Sequence, residues 1–276
     1  MTSSKATDGK PLHASNKYAL HGKVALVTGA SRGIGKAIAL SLAANGAHLA
    51  LFARNQEALN SVKEEIEPLG RPCLAQSGDI CKEEDIDRVV RLTEKKLGPI
   101  AILVNNAGIY KTEPVEDHDL ASWAEIVDIN LTGAMLASRR VLKPMKAAEW
   151  GRIINISSVS GQAGEAFGAA YSASKFGLIG LTQSLALEVA KYAITVNAVC
   201  PGWVMTEMAK EQLNDETWCG LNDLDASQSE EIARLSVPQM RFIEPYEVGQ
   251  LVAFLCSDDA RGITGQAINI CGGLSI

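Results

Sequence analysis

The sequence is poor in what metal and disulfide chemistry need. Its six cysteines (Cys73, Cys81, Cys200, Cys219, Cys256, Cys271) form no CxxC pair and no regular spacing. That argues against a disulfide framework and points to a reducing compartment, the cytoplasm. The four histidines (His13, His21, His48, His118) show no HxxxH or Cys/His ligand pattern, so no zinc site is expected. None lies near the motifs below, which sets Ser-His-Asp hydrolysis aside as well. Lys and Arg number 26 against 32 Asp and Glu, short of the positive surplus a nucleic-acid binder needs. No uninterrupted apolar run reaches the roughly 18 to 20 residues of a membrane span. Residues 1–20 lack an apolar run for secretion and lack arginine for organelle import. They read as a disordered polar leader, with an arm docking on a partner subunit as the alternative.

What is present is alternation. From Lys23 onward, short apolar runs at 24–28, 47–52, 71–77, 100–105, 152–158, 194–201 and 267–270 are separated by helical patterns. Those patterns fall at 34–45, 59–69, 86–97, 120–146, 170–192 and 245–256. The order predicts one α/β domain over 21–276, a doubly wound parallel sheet of about seven strands with helices on both faces. The ligand crevice of such a sheet lies beyond the carboxyl ends of its strands. Residues 203–238 break the rhythm, and a connection this long reads as a substrate-covering lid, with an inert surface insertion as the alternative.

Thr28-Gly29-Ala30-Ser31-Arg32-Gly33-Ile34-Gly35 follows the first strand and opens a helix. A glycine-rich turn lets backbone approach a diphosphate, and the helix N-terminus adds a partial positive charge. An acid at the end of the second strand would bond the adenosine ribose and repel a 2′-phosphate. This chain has Ala53-Arg54 there and Arg32 in the glycine turn, two guanidiniums suited to a 2′-phosphate, which favours NADP(H) over NAD(H). Asp79, after the third strand, is a candidate for the adenine amino group or a turn cap.

Tyr171 and Lys175 stand four apart on a helix and share a face. Ser158 lies thirteen residues upstream at a strand's carboxyl end. A phenol works as a general acid near neutral pH if its pKa falls from about 10, and the ammonium of Lys175 is expected to bring it towards about 7.

These residues, with Asn105-Asn106-Ala107-Gly108, Asn130 and Pro201-Gly202, resemble the short-chain dehydrogenase/reductase family over essentially the whole chain after the leader. The resemblance implies a Rossmann-type domain in which Ser158 holds the substrate oxygen and Tyr171 protonates it as hydride arrives. Lys175 would bond the nicotinamide ribose, and Asn130 would hold a water linking Lys175 to solvent. Asn105, Asn106, Ala107 and Gly108 would line the adenosine side and steady the central strand, Pro201 and Gly202 with Thr206 would meet the nicotinamide carboxamide, and Ile80 and Val204 would also contact the cofactor. Ser157 is the rival of Ser158, placed second because strand alternation turns it away.

Within the family, the stretch from Ile194 to Trp203 and the ending Asn269 to Leu274 look like aromatic-polyketide ketoreductases and 3-oxoacyl-thioester reductases. Both act on ketones borne by an acyl-carrier protein, which Arg139, Arg140, Lys143 and Lys146 could greet; a solvated helix face is the plainer reading. Tyr192 stands where fatty-acid reductases often carry Arg, so free cyclic or aromatic substrates stay open. Phe167, Trp203, Met205 and Trp218 suggest a bulky apolar pocket. The rivals are a dehydrogenase of cyclic or aromatic secondary alcohols, a non-catalytic NADP-binding redox sensor and a sugar-nucleotide epimerase. The intact Ser158, Tyr171 and Lys175 weigh against a sensor, and the absence of a larger carboxyl-terminal domain against an epimerase. A homotetramer or homodimer through 120–146 and 170–192 is expected by resemblance.

Overall fold

The computed structural model describes residues 18–275, so most of the expected leader lies outside the described residues. Tyr18 to Leu20, counted with that leader, are packed: the Tyr18 N–H donates to Asn45 Oδ1 at 2.8 Å and the Leu20 N–H to the Asn45 carbonyl at 3.0 Å. Leu20 is buried in the core.

Seven strands form one sheet: β1 (Val24–Thr28), β2 (His48–Ala53), β3 (Cys73–Ser77), β4 (Ile100–Asn105), β5 (Gly151–Ile156), β6 (Ile194–Pro201) and β7 (Ala267–Ile270). Their order is β3-β2-β1-β4-β5-β6-β7, and every pairing is parallel. Helices α1 (Gly33–Ala44), α2 (Gln56–Ile66), α3 (Glu83–Lys96), α4 (Leu120–Val127), α5 (Gly133–Ala148) and α6 (Ala169–Val189) fill the crossovers. Helices α7 (Glu207–Leu213), α8 (Glu216–Leu221) and α9 (Ser229–Ser236) precede α10 (Pro245–Cys256).

Side-chain alternation sends Ala25 and Val27 of β1 into a core with Leu42 of α1, Leu59 of α2 and Val252 of α10. Val24 and Leu26 enter a second core with Val90 of α3, Val141 of α5 and Ala186 of α6. Burying both faces makes the strands read as unbroken apolar runs, and each fully buried Val or Leu contributes about 1.5–3 kcal/mol. Chain connections diverge between β1 and β4, and the crevice of a doubly wound sheet opens at that point.

Two segments carry detail beyond the expectation. The helical region expected over 120–146 is present as α4 and α5, joined by one wide π-type turn, Asp128–Thr132. Such a turn inserts backbone without breaking the helical run, so apolar periodicity hides it. The irregular segment 203–238 contains three short helices, two of them started by side-chain caps: Thr206 Oγ1 accepts from the Ala209 N–H and Asp215 Oδ1 from the Trp218 N–H.

Candidate active site

The first crossover forms a cradle of bare backbone. Gly29 has φ +64°, and a Cβ there would stand 2.8 Å from Asn106 Nδ2 and 2.9 Å from Ala107 Cα. A Cβ on Gly35 would strike the Gly29 carbonyl oxygen. The turn is clasped to the end of β4: Thr28 Oγ1 accepts the N–H groups of Asn106 and Ala107 at 3.0 and 3.1 Å. Asn106 Nδ2 donates back to the Thr28 and Gly29 carbonyls at 3.0 and 3.1 Å.

Beyond this cradle lies a cleft of about 710 Å³. It is lined by every cofactor residue expected from the sequence except Pro201, Gly202 and Val204, which line the adjoining cavity. The residues fit a dinucleotide phosphate: the glycine turn leaves room for a diphosphate, and the wall after β2 offers Arg54 and Asn55 without an acid. Arg32, 58% exposed, pairs with Glu207 at 2.8 Å and Glu211 at 3.6 Å. Asp79 Oδ1 accepts the Cys81 N–H at 3.0 Å, a turn-capping bond, while the residue also lines the cleft.

Tyr171 lines both the cleft and a second cavity of about 380 Å³, so it stands where they meet. The second cavity also carries Ser158, and a hydrogen bond with Ser158 favours the phenolate of Tyr171. Ser157 spends its hydroxyl on the Lys175 carbonyl at 3.0 Å. Lys175 Nζ donates to the Ile156 carbonyl at 2.8 Å and stands 5.5 Å from the centre of the Tyr171 ring.

The expected acidification of Tyr171 is not what this arrangement gives. The phenol is pushed up to about 12, chiefly by burial and also by the charge of Glu165, with the Ser158 bond pulling the other way. Lys175 is itself pushed down to about 8 by burial. Asn130 also does more than expected of it. Its Oδ1 accepts the Ile109 N–H at 2.8 Å, and its Nδ2 donates to the Ile109 carbonyl and to Ser174 Oγ, both at 3.0 Å.

Of the expected substrate residues, Ser158 and Trp203 line the 380 Å³ cavity, and Phe167, Met205 and Trp218 stand outside its wall. Trp218 packs edge-on against Trp203, ring centres 6.0 Å apart. The basic group on α5 is partly spent, because Arg139 pairs with Glu83 and Arg140 with Asp87 of α3. Sequence reasoning missed Tyr110, Glu165 and Gln212, all in the cavity wall. Only the glycines around Glu165, at 161, 164 and 168, could have flagged a loop at the cleft. Among the described residues no cluster of His, Cys, Asp and Glu could hold a metal, and no helix is long and apolar enough to cross a membrane.

A glycine-rich first crossover facing a Ser, Tyr and Lys group at the carboxyl edge of a parallel sheet defines a dinucleotide-dependent oxidoreductase. A family model described as short chain dehydrogenase matches residues 23–217, and the chain belongs to that family, whose members work on CH–OH and keto groups. It is 40% identical to a 3-oxoacyl-[acyl-carrier-protein] reductase of Synechocystis sp. over 93% of this chain and 98% of that one. It is also 40% identical to the granaticin polyketide synthase putative ketoacyl reductase 1 of Streptomyces violaceoruber, over 91% and 92%. A crystal structure of a single-substitution variant of actinorhodin polyketide ketoreductase with NADPH superposes with a TM-score of 0.86, at 36% identity over 95% of this chain and 98% of that one.

Proposed function

We propose that this protein reduces a ketone on a bulky, largely apolar substrate of the 3-oxoacyl or polyketide type, with NADPH as the reductant. NADP(H) is the cofactor, supported by the glycine cradle, the acid-free end of β2 and the NADPH of the actinorhodin relative. When bound, its reduced nicotinamide supplies the hydride.

The observation that carries the reading is the position of Tyr171 at the junction of the two cavities, with Ser158 beside it in the wall of the smaller one. Ser158 orients the carbonyl oxygen, and Tyr171 gives that oxygen its proton as negative charge grows there. A phenol at about 12 remains a competent acid for this step, because an alkoxide is far more basic than a phenolate. Lys175 steadies the cofactor ribose. Segment 203–238 closes the substrate side, contributing Trp203, Met208 and Gln212 to the wall.

The protein works in the cytoplasm as a homodimer or homotetramer. The exposure of Leu120 on α4 and of Phe176 and Leu187 on α6 supports assembly through these helices.

The test is turnover of 3-oxoacyl thioesters, cyclic ketones and aryl ketones with NADPH or NADH, beside Tyr171→Phe. The variant should keep its affinity for NADPH and lose turnover by roughly 100- to 10,000-fold. Unchanged turnover would remove Tyr171 from the chemistry.

A further inference from the structure

The 380 Å³ cavity carries one carboxylate, Glu165, and no Lys, Arg or His in its wall. Glu165 is held by neutral donors from three separate segments. Its Oε1 accepts from the Tyr110 hydroxyl at 3.0 Å and from Gln212 Nε2 at 3.3 Å, and its Oε2 accepts from the Ser160 hydroxyl at 2.8 Å. Tyr110 follows β4, Ser160 follows β5 and Gln212 belongs to α7. These bonds fix the carboxylate in place without neutralising it. Its charge reaches the reacting centre, where it disfavours the phenolate of Tyr171.

We propose that Glu165 makes this cavity select neutral 3-oxo esters, thioesters and ketones and reject free 3-oxo and 3-hydroxy acids. The inference rests on the ketoreductase reading and narrows its substrate class. A carboxylate entering the cavity would lose its water, meet a like charge and find no cation. Lys175 lines the adjoining cleft and gives its ammonium to the Ile156 carbonyl. Arg32 lines that cleft too, tied to Glu207. An ester of the same acid has the same reach and no charge, so the penalty falls on the acid alone. Discrimination by a built-in repulsion needs no extra contact to the preferred substrate.

The experiment compares ethyl 3-hydroxyhexanoate with 3-hydroxyhexanoate as substrates for NADP⁺-driven oxidation. Binding of both to NADP⁺-loaded Tyr171→Phe protein is measured by calorimetry, where turnover is blocked. The ester should exceed the acid in kcat/KM by about 100-fold or more, and Glu165→Gln should shrink that ratio about tenfold or more. Equal binding of acid and ester, or a ratio that Glu165→Gln leaves in place, overturns the proposal. Selective binding of the ester without oxidation would support the selectivity and overturn the oxidoreductase reading instead.

Discussion

The ammonium of Lys175 meets the carbonyl oxygen of Ile156 at 2.8 Å, and the side chain is 4% exposed. A single backbone carbonyl is not a counter-ion, and burial holds the group down at about 8 against an ordinary 10.5. Below pH 8 the folded state therefore carries a charge it is disposed to shed, at a cost of roughly 3 kcal/mol. Between pH 8 and 10.5 the unfolded chain binds a proton that the folded one does not, so this group makes stability rise with pH across that window.

Lys175→Met should consequently raise Tm at pH 7. Losing the bond to Ile156 offsets about 1 kcal/mol, leaving a net gain of about 1–2 kcal/mol. The advantage over the parent should shrink as pH approaches 10.5. Melting curves across this range check the claim, and a lower Tm at pH 7, or a gain flat in pH, would contradict it.

How much of this was legible follows from what each feature depends on. The seven strands could be read because both sheet faces are covered, so Val24–Thr28 and Ile194–Pro201 are buried throughout and mostly apolar. Tyr171 and Lys175 could be read because helical spacing alone puts them on one face. The wide turn at Asp128–Thr132 was hidden: Ile126 and Ala134 on either side are buried, and the run keeps its helical character. What fixes Asn130 is Ile109, which no local pattern announces. The pairs Arg32–Glu207 and Arg140–Asp87 likewise join distant segments, so charge patterning along one helix counted as free what the fold neutralises. Glu165 had no motif around it, and only the meeting of three segments gives it a role.

Arg32 gives one guanidinium nitrogen to Glu207, and a 2′-phosphate in the cleft would compete with that carboxylate for it. Its bond to Glu207 spans 2.8 Å between groups that are 58% and 65% exposed. An exposed pair of this kind is worth under about 1 kcal/mol. A guanidinium–phosphate bond contributes about 1.5–3 kcal/mol, so the phosphate should displace the acid. Arg32→Ala should raise the KM for NADPH by roughly 10- to 100-fold and leave that for NADH nearly level. Glu207→Gln should lower the KM for NADPH by freeing Arg32. Equal losses for both cofactors on Arg32→Ala would show that the guanidinium does not read the 2′-phosphate.

Asn130 carries the last prediction, because two roles for it make opposite demands on stability. If its part is only to hold a water beside Lys175, replacing it should slow proton return and leave the fold alone. The geometry assigns it a heavier task. Buried at 1% exposure, it satisfies both the N–H and the carbonyl of Ile109. It also bonds Ser174, whose own hydroxyl donates to the Tyr171 carbonyl at 2.7 Å. The amide thus ties the segment after β4 to the helix that bears Tyr171 and Lys175. Asn130→Leu would leave two half-buried backbone groups without their partner, at about 1–3 kcal/mol each, and Tm should fall by roughly 5–15 °C. Asn130→Asp keeps an acceptor for the Ile109 N–H and loses the donor, so it should fall in between. Turnover should decline with Tm across the two variants, since the amide acts on Tyr171 by placing it. Lost turnover with Tm unchanged in Asn130→Leu would return the residue to proton relay alone.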